Sequence, residues 1–350
     1  MNKINVGIIG CGYWGPNFIR SFTKIKGVSV KYICDIHNDR LTHIKELYPE
    51  ISTTQDLDKV LKDKEVNAVV IATPAKTHYK LVKASLLNHK HVLVEKPITT
   101  KIKDAEELIA LSKEYRKILM VGHTFKFNPG INALKELIDS KKLGKIFYLY
   151  SRRTNLGPLR KDVNAVWDLA PHDISILNYL LSKVPESVSA KAEKYLAHNL
   201  EDVCFASLRF PKNILAHIHV SWLDPKKVRE IVVVGSKRMA VFDDLAIDSP
   251  ITIYDKTVIA KKFKQEYDSF EEFQMIIHNG PAKNLSIKKA EPLFNECLHF
   301  IDCIKGKSAP LTDGKDGLEV LKVLIGIERS IAKKGATIVL DGKNRRKNDS

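Results

Sequence analysis

No apolar run in the sequence approaches the ~20 residues that a membrane-spanning helix requires, and none of its five cysteines falls in a Cys-x-x-Cys pair. The first absence argues against a helical span and any membrane partner. Cys11, Cys34, Cys204, Cys297 and Cys303 are odd in number and scattered, so neither a disulfide framework nor a zinc ribbon is indicated. Reduced, mostly buried thiols are expected. Internal repeats and low-complexity segments are also missing. Room for an export signal is lacking too, because the patterned segment Ile4 to Gly10 follows Met1 almost at once, and a cytoplasmic location is expected. Acidic residues are in deficit, 41 against 57 Lys and Arg, giving a net charge of +16 and raising the question of nucleic acid. The lysines, however, are spread along solvated helix faces. The only dense cluster is Lys343, Arg345, Arg346 and Lys347, in a polar tail expected to be disordered. The excess therefore reads as general surface charge suited to a phosphate-bearing small molecule, with no nucleic-acid partner.

What is present is enough chain for two domains: 350 residues, 44% of them hydrophobic. A short β-branched run, Ile4 to Ile9, meets Gly10-Cys11-Gly12-Tyr13-Trp14-Gly15, and an amphipathic stretch follows from Asn17 to Ile25. In this setting the three glycines have separate tasks. Gly10 permits a tight turn, Gly12 lets the backbone approach a pyrophosphate, and Gly15 lets helix and strand pack closely. The next apolar run, Val28 to Cys34, ends at Asp35, 20 residues beyond Gly15, where a carboxylate can accept the adenosine ribose hydroxyls. That charge would repel a 2′-phosphate, so the expected cofactor is NAD; otherwise Asp35 merely ends a strand and starts a turn. Alternation continues with a helix near Asp39 to Leu47, strand Ala68 to Ala72, helix Thr77 to Asn88, strand His91 to Val94, helix Ile102 to Tyr115 and strand Ile118 to Val121. Continuous apolar strands separated by helices predict a doubly wound parallel sheet, α/β in class. Its strand ends Ala72-Thr73-Pro74 and Glu95-Lys96-Pro97 then lie at the ligand-binding edge.

With Glu95-Lys96-Pro97 added to the glycine turn and Thr73-Pro74, the sequence resembles the glucose-fructose oxidoreductase, inositol dehydrogenase and rhizopine catabolism family of NAD(P)-dependent oxidoreductases. The resemblance continues through Gly144-Lys145-Ile146, through Trp167-Asp168-Leu169-Ala170-Pro171-His172-Asp173 and through His219-Val220-Ser221-Trp222-Leu223-Asp224-Pro225. It implies a Rossmann domain over residues 1–123 and, over 124–340, an α+β substrate domain with a large, mostly antiparallel open sheet that forms homodimers or homotetramers; 341–350 is the basic tail. It also implies a dehydrogenase acting on a CH–OH group, with Lys96, Asp168 and His172 as catalytic residues. By family position Thr73, Pro74, His78, Glu95 and Lys96 border the dinucleotide, and Tyr13 and Trp14 line it unless they are ordinary packing residues. Two departures are visible. Ser175 stands where relatives carry an acid, with Asp173 directly after His172, and Lys126 stands where relatives commonly have Arg.

Read on their own chemistry, Asp168 and His172 are four apart with Pro171 between them, which suits the first turn of a helix running on through Ile174, Leu177 and Leu180. The dipole at that position disfavours the imidazolium and keeps a base available, and Asp168 can counter the shift or orient the ring. Lys96 supplies a fixed positive charge to a developing alkoxide. The alternative is that His172 is only structural. Substrate contacts are expected from Lys96, Lys126, Arg152, Asn155 and His172, with Arg152 and Arg153 equally readable as exposed strand-end residues. His217 and His219 share a strand face; without a third ligand they read as core or interface residues, and no metal is expected. Resemblance over Asn155 to Asp173 and Ser221 to Pro225 points to oxidation of a ring hydroxyl, C3, of a UDP- or dTDP-linked sugar, with UDP-N-acetylglucosamine or its uronate first. The rivals are keto-sugar reduction, dehydrogenation of a free sugar or inositol, and an NAD-sensing binding protein, against which Lys96, Asp168 and His172 speak.

Overall fold

The computed structural model describes residues 3–157, 160, 163–196, 199–246, 248–258 and 277–340. The basic tail at 341–350 and residues 158, 159, 161 and 162 of the Asn155 to Asp173 stretch lie outside the described residues. Two compact units result, Met1–Asn128 with Ala290–Lys322, and Pro129–Lys289 with Val323–Ser350.

In the first unit strand and helix alternate: β1 (Ile4–Ile9), α1 (Gly15–Thr23), β2 (Val28–Cys34), α2 (Asn38–Leu47), β3 (Ser52–Thr54), α3 (Leu57–Lys62), β4 (Val66–Ile71), α4 (Ala75–Leu87), β5 (His91–Glu95), α5 (Ile102–Glu114) and β6 (Leu119–Gly122). A 3₁₀ turn follows at Thr124–Phe127. The strands pair in parallel in the order β3-β2-β1-β4-β5-β6. The order reverses direction between β1 and β4, which leaves a crevice at their carboxyl ends for a ligand. Val6, Ile8, Val69, Val70, Leu93 and Val94 are fully buried, as strands covered on both faces require. β3 and α3 are too short and too polar to carry a periodic signal, and the sequence pattern did not predict them.

The second unit begins with α6 (Pro129–Asp139), β7 (Ile146–Leu156) and α7 (Ala165–Leu181), followed by β8 (Ser187–Glu193), β9 (Val203–Phe210), β10 (Ile214–Ser221), β11 (Leu223–Gly235), β12 (Met239–Asp243), β13 (Ile251–Val258) and β14 (Ile277–Leu285). The chain then continues with α8 (Pro292–Ile304), α9 (Gly314–Ala332), which starts in the first unit and ends in the second, and β15 (Ile338–Val339). Among the described residues the second sheet has nine strands in the order β14-β13-β12-β11-β7-β10-β9-β8-β15. β7 and β10 are parallel and the remaining pairs antiparallel. α7 packs on one face, over Ala216, Ile218 and Val220. The other face is open, exposing Tyr148, Tyr150, Phe205 and Leu215.

The expected contiguous second domain over 124–340 needs correcting, because residues 290–322 belong to the first unit. The cause is the apolar stripe of α8: Leu293, Cys297, Phe300 and Ile301 share a core with Phe18 and Phe22 of α1. An Arg20–Glu291 ion pair closes the rim of that contact. Among the described residues no helix is long and apolar enough to cross a membrane.

Candidate active site

The turn after β1 has the geometry its glycines predict. Gly10 sits at φ +100, and a Cβ there would lie 2.6 Å from the Ala72 carbonyl oxygen, so any side chain would push β1 and β4 apart. A Cβ on Gly15 would strike the Gly10 carbonyl, whereas one on Gly12 would meet nothing within 4 Å. Open space over Gly12 is what an approaching pyrophosphate needs. α1 also starts at Trp14 without any side-chain cap, so its first N–H groups are left for an anion. Tyr13 is 82% exposed and makes an edge contact with Trp14, leaving both rings at the mouth of the turn.

Asp35 is buried at the end of β2. Its carboxylate accepts the Cys11 N–H at 2.6 Å and the His37 N–H at 2.9 Å, and Arg40 approaches it at 3.6 Å. A carboxylate offers about four acceptor positions, so two backbone bonds leave capacity for ribose hydroxyls. Burial, then the Asp35 charge, push the Cys11 thiol up to about 12, and burial with Asp35 pushes Cys34 to about 11. Both thiols are inert, and all five cysteines are free and buried.

His78, expected beside the dinucleotide, lies between two backbone carbonyls. It is fully buried, with Nδ1 at 2.7 Å from the Pro97 carbonyl and Nε2 at 2.8 Å from the Thr73 carbonyl. Two carbonyls ask for two ring N–H groups, which only the imidazolium has, while burial lowers the ring's pKa. The ring ties the β4 end to the turn that carries Lys96. Thr73 reinforces this end through its hydroxyl, 2.7 Å from that of Thr77.

Glu95 also points inward. Its Oε2 accepts the Lys96 N–H at 3.1 Å, and a Cβ on Gly122 would come to 3.4 Å from its carboxyl, a tight contact that glycine avoids. Burial raises its pKa to about 7, against the pull of the neighbouring Lys96 charge. Nearby, Glu296 of α8 accepts the Thr124 hydroxyl at 2.9 Å, and burial together with Glu95 raises its pKa well above the usual range. Lys126, expected at the substrate, is 4% exposed and its ammonium is paired with Asp316, as a buried cation requires. Lys96 itself is half-buried at the carboxyl end of β5.

In the second unit α7 starts earlier than the Asp168–His172 spacing predicted. The Asn164 side chain accepts the Trp167 N–H at 3.0 Å and so begins the helix at Ala165. Asp168 falls in the first turn, but Pro171 lies inside the helix and His172 about two turns in. The helix dipole, whose effect fades within the first turn, therefore does not act on His172 as its spacing from Asp168 predicted. Asp168 is oriented by one partner far away in sequence and one near: Trp222 donates its indole N–H at 3.2 Å and Arg160, eight residues upstream, reaches it at 3.1 Å.

β7 alternation separates its two arginines. Arg153 is buried and bonds Asp173 through two nitrogens, at 2.8 and 3.2 Å, fixing α7 to the sheet. Arg152 points to the open face, opposite Glu230 and His219 of the adjoining strands. Asn155 accepts a bond from Arg229 at 2.8 Å. His217 and His219 stack on Phe205, with centroids 6.1 and 4.3 Å apart, and among the described residues no group of three metal-ligating side chains forms. Arg229, Asn164 and Glu296 gave no sequence signal, because each is defined by a partner dozens of residues away, and Arg160 pairs with Asp168 across an irregular segment with no periodic pattern.

A dinucleotide turn on a parallel sheet, joined to a unit built on a large open sheet, defines a class of two-part oxidoreductases. The chain belongs to the glucose-fructose oxidoreductase, inositol dehydrogenase and rhizopine catabolism family: residues 4–123 match its model described as an oxidoreductase family with NAD-binding Rossmann fold, and residues 131–241 match its C-terminal domain. The first unit is its NAD-binding domain. An uncharacterized oxidoreductase, YdgJ, of Escherichia coli is 31% identical over 49% of this chain and 51% of its own length. The matches to the first four curated relatives span only 51% to 60% of those proteins. Myo-inositol 2-dehydrogenase of Thermotoga maritima is 23% identical over 95% of this chain and 97% of its own. Among solved structures, UDP-N-acetylglucosamine 3-dehydrogenase of Acidithiobacillus ferrooxidans superposes with a TM-score of 0.80 at 21% identity, covering 95% of this chain and 99% of the other, a likeness of fold.

Proposed function

We propose that the protein is an NAD-dependent dehydrogenase that oxidises a secondary ring hydroxyl, C3, of a nucleotide-linked sugar, with UDP-N-acetylglucosamine or its uronate as leading substrates. The observation that carries the reading is the first unit's arrangement: an open backbone cradle at Gly12 with Lys96 at the end of β5 in the same domain. NAD supplies the hydride acceptor when bound. His172 takes the hydroxyl proton, Asp168 tunes that imidazole, and Lys96 holds positive charge against the oxygen as it becomes carbonyl. The lysine-rich surface favours the diphosphate of such a substrate. Keto-sugar reduction uses the same groups in reverse.

The inositol dehydrogenase relative supports a second reading, a free polyol or sugar as substrate. Absorbance of reduced cofactor, followed with NAD and a panel of nucleotide sugars and free polyols, separates the two. Turnover confined to polyols replaces the first reading with the second. His172→Ala and Lys96→Ala should each lower kcat by ~10²–10⁴-fold with NAD affinity largely retained. Near-normal turnover in both overturns the assignments. The open sheet face with Tyr148, Tyr150 and Phe205 fits the homodimer or homotetramer that the family resemblance implies.

A further inference from the structure

At the edge of the parallel sheet where the strands begin, a cavity of about 920 Å³ opens between the starts of β1 and β5 and the carboxyl ends of α3, α4 and α8. The glycine turn is at the other end of β1, about 20 Å away for a six-residue strand, so the cavity is separate from the dinucleotide cradle. Ile4, Leu61, Leu87 and Ile304 give it an apolar floor. Among the described residues, seven lysines and no Asp or Glu side chain stand around that floor.

Ordinary structural needs explain part of this charge. Lys62 is paired with Asp58 at 2.7 Å and Lys307 with Asp302 at 3.3 Å. Lys90 is buried and donates to the Asp63 and Val66 carbonyls at 2.7 and 2.8 Å. Three helix carboxyl ends contribute about −0.5 charge each. Lys3, Lys64, Lys117 and Lys305 have no carboxylate partner among the described residues. Burial and then Lys117 lower the pKa of His91, and burial lowers that of Lys90, where the pull of the Asp63 carboxylate outweighs the opposing effect of Lys117. A surplus of roughly three positive charges remains, focused in a concave site of small-molecule size. Mutual repulsion at such a site is relieved by an anion of matching charge.

We propose that this cavity binds a phosphate-chain anion carrying three or more negative charges. Lysine ammonium groups suit phosphate oxygens as point charges, and the apolar floor can take a nucleoside base. The test is calorimetric titration of the full chain, saturated with NAD so that the glycine turn is filled, with tripolyphosphate in one arm and ATP in the other. Saturable one-site binding is expected, weakened at least tenfold in the triple variant Lys64→Ala, Lys117→Ala, Lys305→Ala while NAD affinity is unchanged. Tighter binding of ATP identifies a nucleotide ligand, and equal binding identifies the phosphate chain alone. No saturable binding of either probe, or equal affinity in wild type and triple variant, overturns the proposal.

Discussion

Asp35 ties the glycine turn to β2 through the Cys11 and His37 N–H groups while keeping acceptor capacity for a ribose. Replacing it removes charged hydrogen bonds worth ~1.5–3 kcal/mol each. Asp35→Ala should therefore weaken NAD binding by about 10–100-fold, read by fluorescence titration; an unchanged dissociation constant makes Asp35 a strand-ending residue only. His78 is a related case, its ring lying between two carbonyls of the loops that frame the expected ligand site.

At the level of elements, the contact between α7 and β7 depends on one buried ion pair. Asp173 and Arg153 are 1% and 4% exposed and bond in two places, so removing one partner strands the other charge in a low-dielectric interior. Asp173→Asn should cost about 3–5 kcal/mol in urea denaturation, and the double variant Arg153→Met, Asp173→Leu should recover most of it. A single variant as stable as wild type removes the pair from any role in fixing α7. The sequence places Asp173 directly after His172 without assigning it a role. Its burial shows that it serves the scaffold on which Asp168 and His172 stand.

For the molecule as a whole, buried acids set a pH response. Glu95 has a folded pKa of about 7, above its ordinary 4.5. The native state then holds this proton longer than the unfolded chain, so stability falls as pH rises from about 4.5 to 7 and is flat above that range. At ~1.4 kcal/mol per unit, this carboxyl accounts for roughly 3–4 kcal/mol. Glu95→Gln should retain its stability between pH 5 and 8 better than wild type by that order, and identical denaturation curves across pH sink the idea. The open face of the second sheet makes a separate prediction. Tyr150→Asp combined with Phe205→Asp should shift light-scattering mass toward the monomer, and an unchanged mass places the assembly surface elsewhere.

The linear sequence determined whatever depends on near neighbours. It specified the parallel βαβ alternation through apolar runs, the glycine turn through residues that must lack a Cβ, and Asp35 through its spacing. These follow from backbone sterics and short-range periodicity, so they survive any arrangement of the rest. Tertiary structure decided what depends on distant partners. It returned α8 to the first unit, since only packing shows that Leu293 and Phe300 complete the core around Phe18 and Phe22. It also turned His78, Glu95 and Lys126 inward and matched Asp168 with Trp222. A side chain's charge and type are written in the chain, but the group that satisfies it is chosen by burial, which no local pattern records.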